Sequence, residues 1–182
     1  MKILILAHPR SGSTTLGNWL SKELNYTFFD EPHNLKNGIQ IWSDNNYVVK
    51  DLYNHLVSNN IDIEKYKSGF DYVIGLYRMN VKDIWISMQH ANKTKRHHSQ
   101  YKLSNEEIEE YEKSMPKNLI EGLTIECEKI IEYSNIVLVY EKIYETKEDI
   151  ERLKNFLNIE NFKYLDMLDN KNRYRRETLK LI

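Results

Sequence analysis

One cysteine in 182 residues, Cys127, leaves no partner for an intramolecular disulfide and no thiolate set for a zinc site, and suits a reducing compartment. It shares helical spacing with Leu119, Leu123, Ile130 and Ile131, so the thiol is expected in a core. Long hydrophobic runs are also missing: no stretch approaches the roughly 18 apolar residues of a membrane span, and the N-terminal apolar run is too short for a secretory signal. The expectation is a soluble, cytoplasmic chain with no membrane span. Charge of one sign is missing too. A net charge of −1 leaves no global field to attract nucleic acid, so an anion site has to be local. What remains, 41% hydrophobic and 29% charged residues, is the composition of an ordinary globular protein, and the length suits one domain over residues 1–182. Richness in Asn, Lys, Ile and Tyr points to an A/T-rich genome, microbial or viral.

The chain is organised around Lys2 to Leu20, KILILAHPRSGSTTLGNWL. Residues 2 to 7 are an almost unbroken apolar run, short enough for a buried parallel strand. It breaks at His8-Pro9 into a small-residue loop before an apolar-periodic helix from Ser13 to Leu24. Ser11, Gly12 and Ser13 carry little side chain, so backbone N–H groups can close round an anion at the positive end of the helix. Arg10 adds a full charge, and Ser13, Thr14 and Thr15 add hydroxyls. The same composition also serves a plain strand-to-helix turn. An adenosine triphosphate loop reads G-x-x-x-x-G-K-[ST]; here Ala7 replaces the first Gly, Ser13 replaces the Lys, and the basic residue lies on the other side of Gly12.

Downstream, Tyr26 to Phe29 reads as a second strand, followed by Asp30, Glu31, Pro32 and His33. Pro32 forbids a helical Glu31 and predicts an extended backbone there, at a strand end of the kind that lines the ligand crevice of open α/β sheets. Residues 34 to 46 read as a polar loop, or as a lid carrying Ile39, Ile41 and Trp42. Tyr47 to Asp51 is a third strand with Lys50 near its carboxyl end; Phe70 to Tyr77 is a fourth and delivers Arg78. Between them, residues 52 to 66 have only weak helical spacing. Arg78 at a strand end and Ser87 in the next helix are placed to converge on one phosphate. The basic stretch 92 to 102 is a solvated loop or a phosphate- or glycan-facing rim. Ser104 and Glu107, like Thr146 and Asp149, have the spacing of helix-starting caps, and the acidic run Glu106 to Glu112 reads as a solvent-facing helix. Pro116 is expected to start a helix reaching Tyr133, and Asn135 to Tyr140 forms the last strand.

Three segments resemble the sulfotransferases that use 3′-phosphoadenosine 5′-phosphosulfate (PAPS). The run PRSGSTT at Pro9 to Thr15 resembles their 5′-phosphosulfate loop, P-[KR]-S-G-[ST]-T, which explains the missing Lys and the displaced basic residue together. The run from Arg78 to Ser87 resembles R-[ND]-P-x-[DE]-x-x-x-S, which binds the 3′-phosphate, although the usual Pro is absent and the spacing to Ser87 is one residue longer. The stretch from Val139 to Ile159 resembles [RV]-Y-E-D-L-x-x-D-P-x-x-x-L-x-x-[IL]-x-x-F-L-G-[IL], with Ile150, Leu153 and Leu157 at core spacing. The resemblance implies a P-loop-like α/β fold of three layers, with a mostly parallel sheet of four or five strands and helices on both faces. Sulfuryl transfer from PAPS to a hydroxyl or amine of a small-molecule or glycan acceptor would leave adenosine 3′,5′-bisphosphate, with no metal implied.

In that reading Arg10, Ser11, Gly12, Ser13, Thr14 and Thr15 hold the 5′-phosphosulfate, while Arg78 and Ser87 hold the 3′-phosphate. The basic tail with Arg173 and Arg175 either closes over the nucleotide or frays. Phe29 to Pro32 resembles the F-E-P segment of carbohydrate sulfotransferases, where the Glu takes the acceptor proton. Glu31 is therefore the first candidate for the base, ahead of His33 and His55, with Lys50 neutralising charge on the transferred group. Cytosolic sulfotransferases place their base two residues after a strand-end Lys, where this chain has Leu52, and their adenine-stacking aromatic corresponds to Thr15. Two other readings stay open: a P-loop kinase of nucleosides or small molecules, and a catalytically silent nucleotide-binding domain. Residues 34 to 46 and 92 to 116 are expected to line the acceptor pocket.

Overall fold

The structure is a computed structural model that describes residues 1–34, 45–95 and 103–163. Its centre is β1 (Lys2–Ala7), buried from Ile3 to Ala7, as a continuous apolar run needs when both faces of a parallel sheet are covered. On one side it pairs with β3 (Tyr47–Leu52) and through it with β2 (Thr27–Asp30); on the other with β4 (Tyr72–Tyr77) and then β5 (Ile136–Val139). The order is β2-β3-β1-β4-β5, every pair is parallel, and Ala7 stands opposite both Leu52 and Leu76. The carboxyl ends of the three central strands therefore lie level, and the segments that follow them share one rim.

Alternation along the strands sorts the core into two layers. Ile3, Ile5, Val48, Ile74 and Leu76 face α1 (Ser13–Leu24), α7 (Tyr140–Tyr144) and α8 (Glu148–Leu157). Leu4, Leu6, Val49 and Val73 face α2 (Tyr53–Ser58), α3 (Ile63–Lys67) and α6 (Leu119–Tyr133). Burying one such side chain is worth about 1.5–3 kcal/mol, so the apolar runs alone account for the layering. Beyond the rim, α4 (Val81–Thr94) packs on α5 (Asn105–Lys113) through Ile86, Leu103, Ile108 and Tyr111. The expected three-layer α/β architecture is present, with all five strands parallel.

Local expectations divide. Ser104 and Glu107 form the capping box, each side chain bonding the other's backbone N–H at 3.2 and 3.0 Å. Thr146 and Asp149 do not form the expected cap. Lys147 takes the N-cap with φ 66°, and buried Asp149 instead accepts the N–H of Val139 at 2.6 Å and an N–H of Arg152 at 2.5 Å. The strand-end N–H of β5 would otherwise be buried without a partner, which outweighs a cap that solvent can replace. Pro116 makes a turn, its carbonyl accepting from Leu119 at 3.2 Å, and α6 starts only at Leu119. Cys127 is half-buried rather than in the core, and burial pushes its thiol up to about 11. Ile131, expected beside it in the core, is exposed.

Candidate functional site

The loop after β1 is shaped by two residues at positive φ, Arg10 at 64° and Gly12 at 79°. Gly12 is required there twice over: its conformation disfavours any side chain, and a Cβ would come within 2.7 Å of the Tyr144 ring. The Tyr144 hydroxyl donates to the Gly12 carbonyl at 2.7 Å, tying α7 to the loop. His8, fully buried, holds the other side. Its Nδ1 donates to the Pro9 carbonyl at 2.8 Å and its Nε2 accepts the Arg78 N–H at 2.8 Å, an arrangement only the neutral ring satisfies. Burial pushes the His8 ring below its ordinary pKa. No side chain caps α1 at Gly12 and its first turn holds no acid, so the positive end of the helix is open to an anion.

The predicted loop residues differ in what they are free to offer. Buried Ser11 donates its hydroxyl to the His8 carbonyl at 2.8 Å, and Ser13 is also buried. Thr14 donates to the Asp30 carboxylate at 3.4 Å, and Thr15 is exposed. Arg10 donates from Nε to the Ser87 hydroxyl at 2.7 Å, linking the loop to α4. Ser87 thus meets Arg10 across the rim. Arg78 lies over the Tyr140 ring at 4.3 Å, donates to Asp83 at 2.6 Å and stands 3.9 Å from Glu141. Its Nε is buried without a hydrogen-bond partner among the described residues. Glu141 also accepts the N–H groups of Met79 and Asn80, each at 3.2 Å, and so fixes the turn into α4.

Lys50 and Glu31 do come together. Lys50 is almost fully buried; its ammonium bonds Glu31 directly and reaches Asp30 at 3.1 Å. Glu31 is not extended as Pro32 suggested: its φ is 51°, with its N–H bonded to the Lys50 carbonyl at 2.7 Å and its own carbonyl accepting from Asn34 at 2.9 Å. Pro32 excludes the right-handed region, and the left-handed turn folds the carboxylate back onto Lys50. Asn34 also donates to Glu31 Oε2 at 3.0 Å, and His55 Nδ1 lies 3.4 Å from it. Burial by itself would raise the Glu31 carboxyl; the Lys50 ammonium, with hydrogen bonds from Lys50 and Asn34, overrides it and holds the group below its ordinary value. His33 Nδ1 meets Asp51 at 3.0 Å, a buried carboxylate that also accepts from Tyr66 at 2.7 Å.

Sequence reasoning missed Asp30, Asp51, Tyr140, Glu141 and Tyr144. The last three lie in the run from Val139 to Ile159, in which the apolar spacing singles out only Ile150, Leu153 and Leu157, and alternation in β3 puts Lys50 and Asp51 on opposite faces. Arg173 and Arg175, the lid residues Ile39, Ile41 and Trp42, and residues 96–102 of the basic stretch lie outside the described residues.

No helix among the described residues is long and apolar enough to cross a membrane. No model of a known protein family and no curated protein matches the chain. Among solved structures it is similar to shikimate kinase from Aquifex aeolicus vf5, at TM-score 0.52 and 18% identity over 87% of this chain and 98% of that one. Deoxyadenosine kinase from M. mycoides with bound dATP is similar at TM-score 0.46 and 22% identity, over 87% of this chain and 100% of that one. The first likeness, with the five parallel strands and the loop between β1 and α1, gives the chain a P-loop-like α/β fold.

Proposed function

We propose that the chain transfers a sulfuryl group from PAPS to a hydroxyl or amine of a small-molecule or glycan acceptor, releasing adenosine 3′,5′-bisphosphate. The observation that carries this reading is the chemistry of the loop. Ser13 stands, buried, where a kinase loop has its Lys, and the full charge comes from Arg10, held against Ser87 from the other side of Gly12. That arrangement suits a bridging oxygen between phosphate and sulfur better than the β- and γ-phosphates of a triphosphate. In the reaction the acceptor oxygen or nitrogen bonds to sulfur as the bond from sulfur to the bridging oxygen breaks. The acceptor proton goes to a base, and the electron pair stays on the bridging oxygen of the departing nucleotide beside Arg10. Glu31 is the base in this reading, and Lys50 offsets charge in the same crevice. In this reading Arg78, whose Nε lies buried 3.9 Å from Glu141 with no hydrogen-bond partner among the described residues, takes the 3′-phosphate with Ser87, and the tail with Arg173 and Arg175 closes over the nucleotide.

Phosphoryl transfer from adenosine triphosphate is the second reading, supported by the fold likeness to the Aquifex shikimate kinase. Calorimetric titration separates the two. Sulfuryl transfer predicts that adenosine 3′,5′-bisphosphate binds at least about tenfold more tightly than adenosine triphosphate, and that Arg10→Ala weakens it by about ten- to a hundredfold through loss of a charge-assisted bond. A preference for the triphosphate hands the site to the kinase reading.

A further inference from the structure

His8 follows β1 directly and is fully buried. Its ring touches the segment that carries each arginine of the proposed nucleotide site. Nδ1 lies 2.8 Å from the carbonyl of Pro9, the residue before Arg10, and Nε2 lies 2.8 Å from the backbone nitrogen of Arg78. A carbonyl can only accept and a backbone N–H can only donate, so the ring carries its proton on Nδ1 and its lone pair on Nε2. Every other state breaks a bond. The imidazolium has no lone pair for the Arg78 N–H, and the opposite tautomer sets donor against donor and acceptor against acceptor. At full burial no water replaces a lost partner.

What the ring holds is tied down at both ends. Ser11 donates to the His8 carbonyl at 2.8 Å, so the loop closes on His8 from its far side as well, with Arg10 between them at φ 64°. On the other side Arg78 is bonded to Asp83 and lies over the Tyr140 ring, so displacing its backbone nitrogen disturbs a guanidinium with fixed surroundings.

We propose that His8 is a positioning residue that couples the two ends of the nucleotide site, the loop with Arg10 and the strand end with Arg78, and that nucleotide is released when its ring takes up a second proton. The inference rests on the reading above that these two arginines hold the nucleotide. Among the described residues the charges that act on the ring are Arg78 and, on α7, Glu141. Burial first, and the Arg78 charge with it, hold the ring below its ordinary pKa of 6.5, against Glu141 and the bond to Pro9, which favour the proton. Affinity is therefore complete above that value and is lost as pH falls through the folded one.

The test joins heteronuclear NMR of the imidazole nitrogens with calorimetry of adenosine 3′,5′-bisphosphate on the full chain. In the free wild type His8 is expected neutral at about pH 7.5, with its proton on Nδ1. A charged ring or the opposite tautomer overturns the inference whatever the nucleotide does. His8→Ala should weaken the bisphosphate by about tenfold or more, and His8→Gln, whose amide oxygen can accept from Arg78 but cannot titrate, should restore affinity to within about threefold. No loss in His8→Ala, or equal losses in both variants, overturns the positioning role. The ligand's own phosphates titrate at about pH 6 for every variant alike, so His8 is read from the difference between variants. On acidification to about pH 5 the wild type should lose more affinity than His8→Gln, and parallel curves overturn the release by protonation. If the bisphosphate fails to bind while adenosine triphosphate binds and repeats this pattern, His8 keeps its role and the sulfuryl-transfer reading fails. Binding of neither nucleotide overturns both.

Discussion

At the scale of single residues the site is governed by where two cations spend their charge. Lys50 is buried between Asp30 and Glu31, so its ammonium is already balanced, and it keeps Glu31 deprotonated at the cost of basicity. Arg10 donates from Nε to the neutral hydroxyl of Ser87. Glu31→Gln tests the division of labour, because the amide keeps size and most hydrogen bonding but cannot take a proton. Single-turnover rate is expected to fall by about a hundredfold or more with nucleotide affinity unmoved. A lowered thermal midpoint with an unchanged rate would reduce Glu31 to a partner of Lys50 and pass the base to His33 or His55. Arg78→Ala should weaken adenosine 3′,5′-bisphosphate by about tenfold or more and leave adenosine 5′-phosphosulfate nearly unaffected. Equal losses for both would show that Arg78 only braces the turn with Asp83 and Glu141.

Among the elements, the contrast between α5 and α8 sets two kinds of helix start side by side. Ser104 caps α5 at the surface, where water can take its place, so Ser104→Ala should cost about 1 kcal/mol. Asp149 sits in the first turn of α8, fully buried, and holds the β5 N–H of Val139 and the Arg152 side chain instead of capping its helix. Asp149→Ala strands the Val139 N–H and an Arg152 bond, and should cost about 2–3 kcal/mol. Urea denaturation of both variants reads the difference; equal costs would mean that the bond from Asp149 to β5 contributes little. The short α7 shows why such anchoring matters to the site. Its Tyr140 lies under Arg78 and its Tyr144 grips Gly12, so the docking of β5, α7 and α8 also sets the shape of the loop between β1 and α1.

For the whole molecule, stability should follow the protonation of buried groups. His8 has a folded pKa below its unfolded value of 6.5. Its contribution is therefore complete above that pH and is lost as pH falls through the folded value. Glu31 acts with the same sign lower down, below its reference of 4.5, and Cys127 acts at the other end, where stability is lost as pH rises from 9.0 through about 11. The urea midpoint should hold between about pH 7 and 8.5 and decline by about pH 5.5, and His8→Gln should flatten the first part of that decline. A wild-type midpoint that does not fall on acidification would show that neutral His8 is not holding the loop to β4.

Much of this was determined by the chain alone. Apolar runs of strand length, broken by turn residues and interleaved with helical periodicity, leave few arrangements other than a parallel sheet covered on both faces. The composition of Pro9 to Thr15 also marked the loop between β1 and α1, because small residues beside a helix start are a local requirement. Pairings across the crevice were not legible in the same way. That Ser87 meets Arg10, that Glu31 turns back onto Lys50, and that Asp149 leaves its cap for β5 all depend on which buried polar group lacked a partner. Only packing the elements against one another settles that competition, since its terms are distances between segments far apart in the chain.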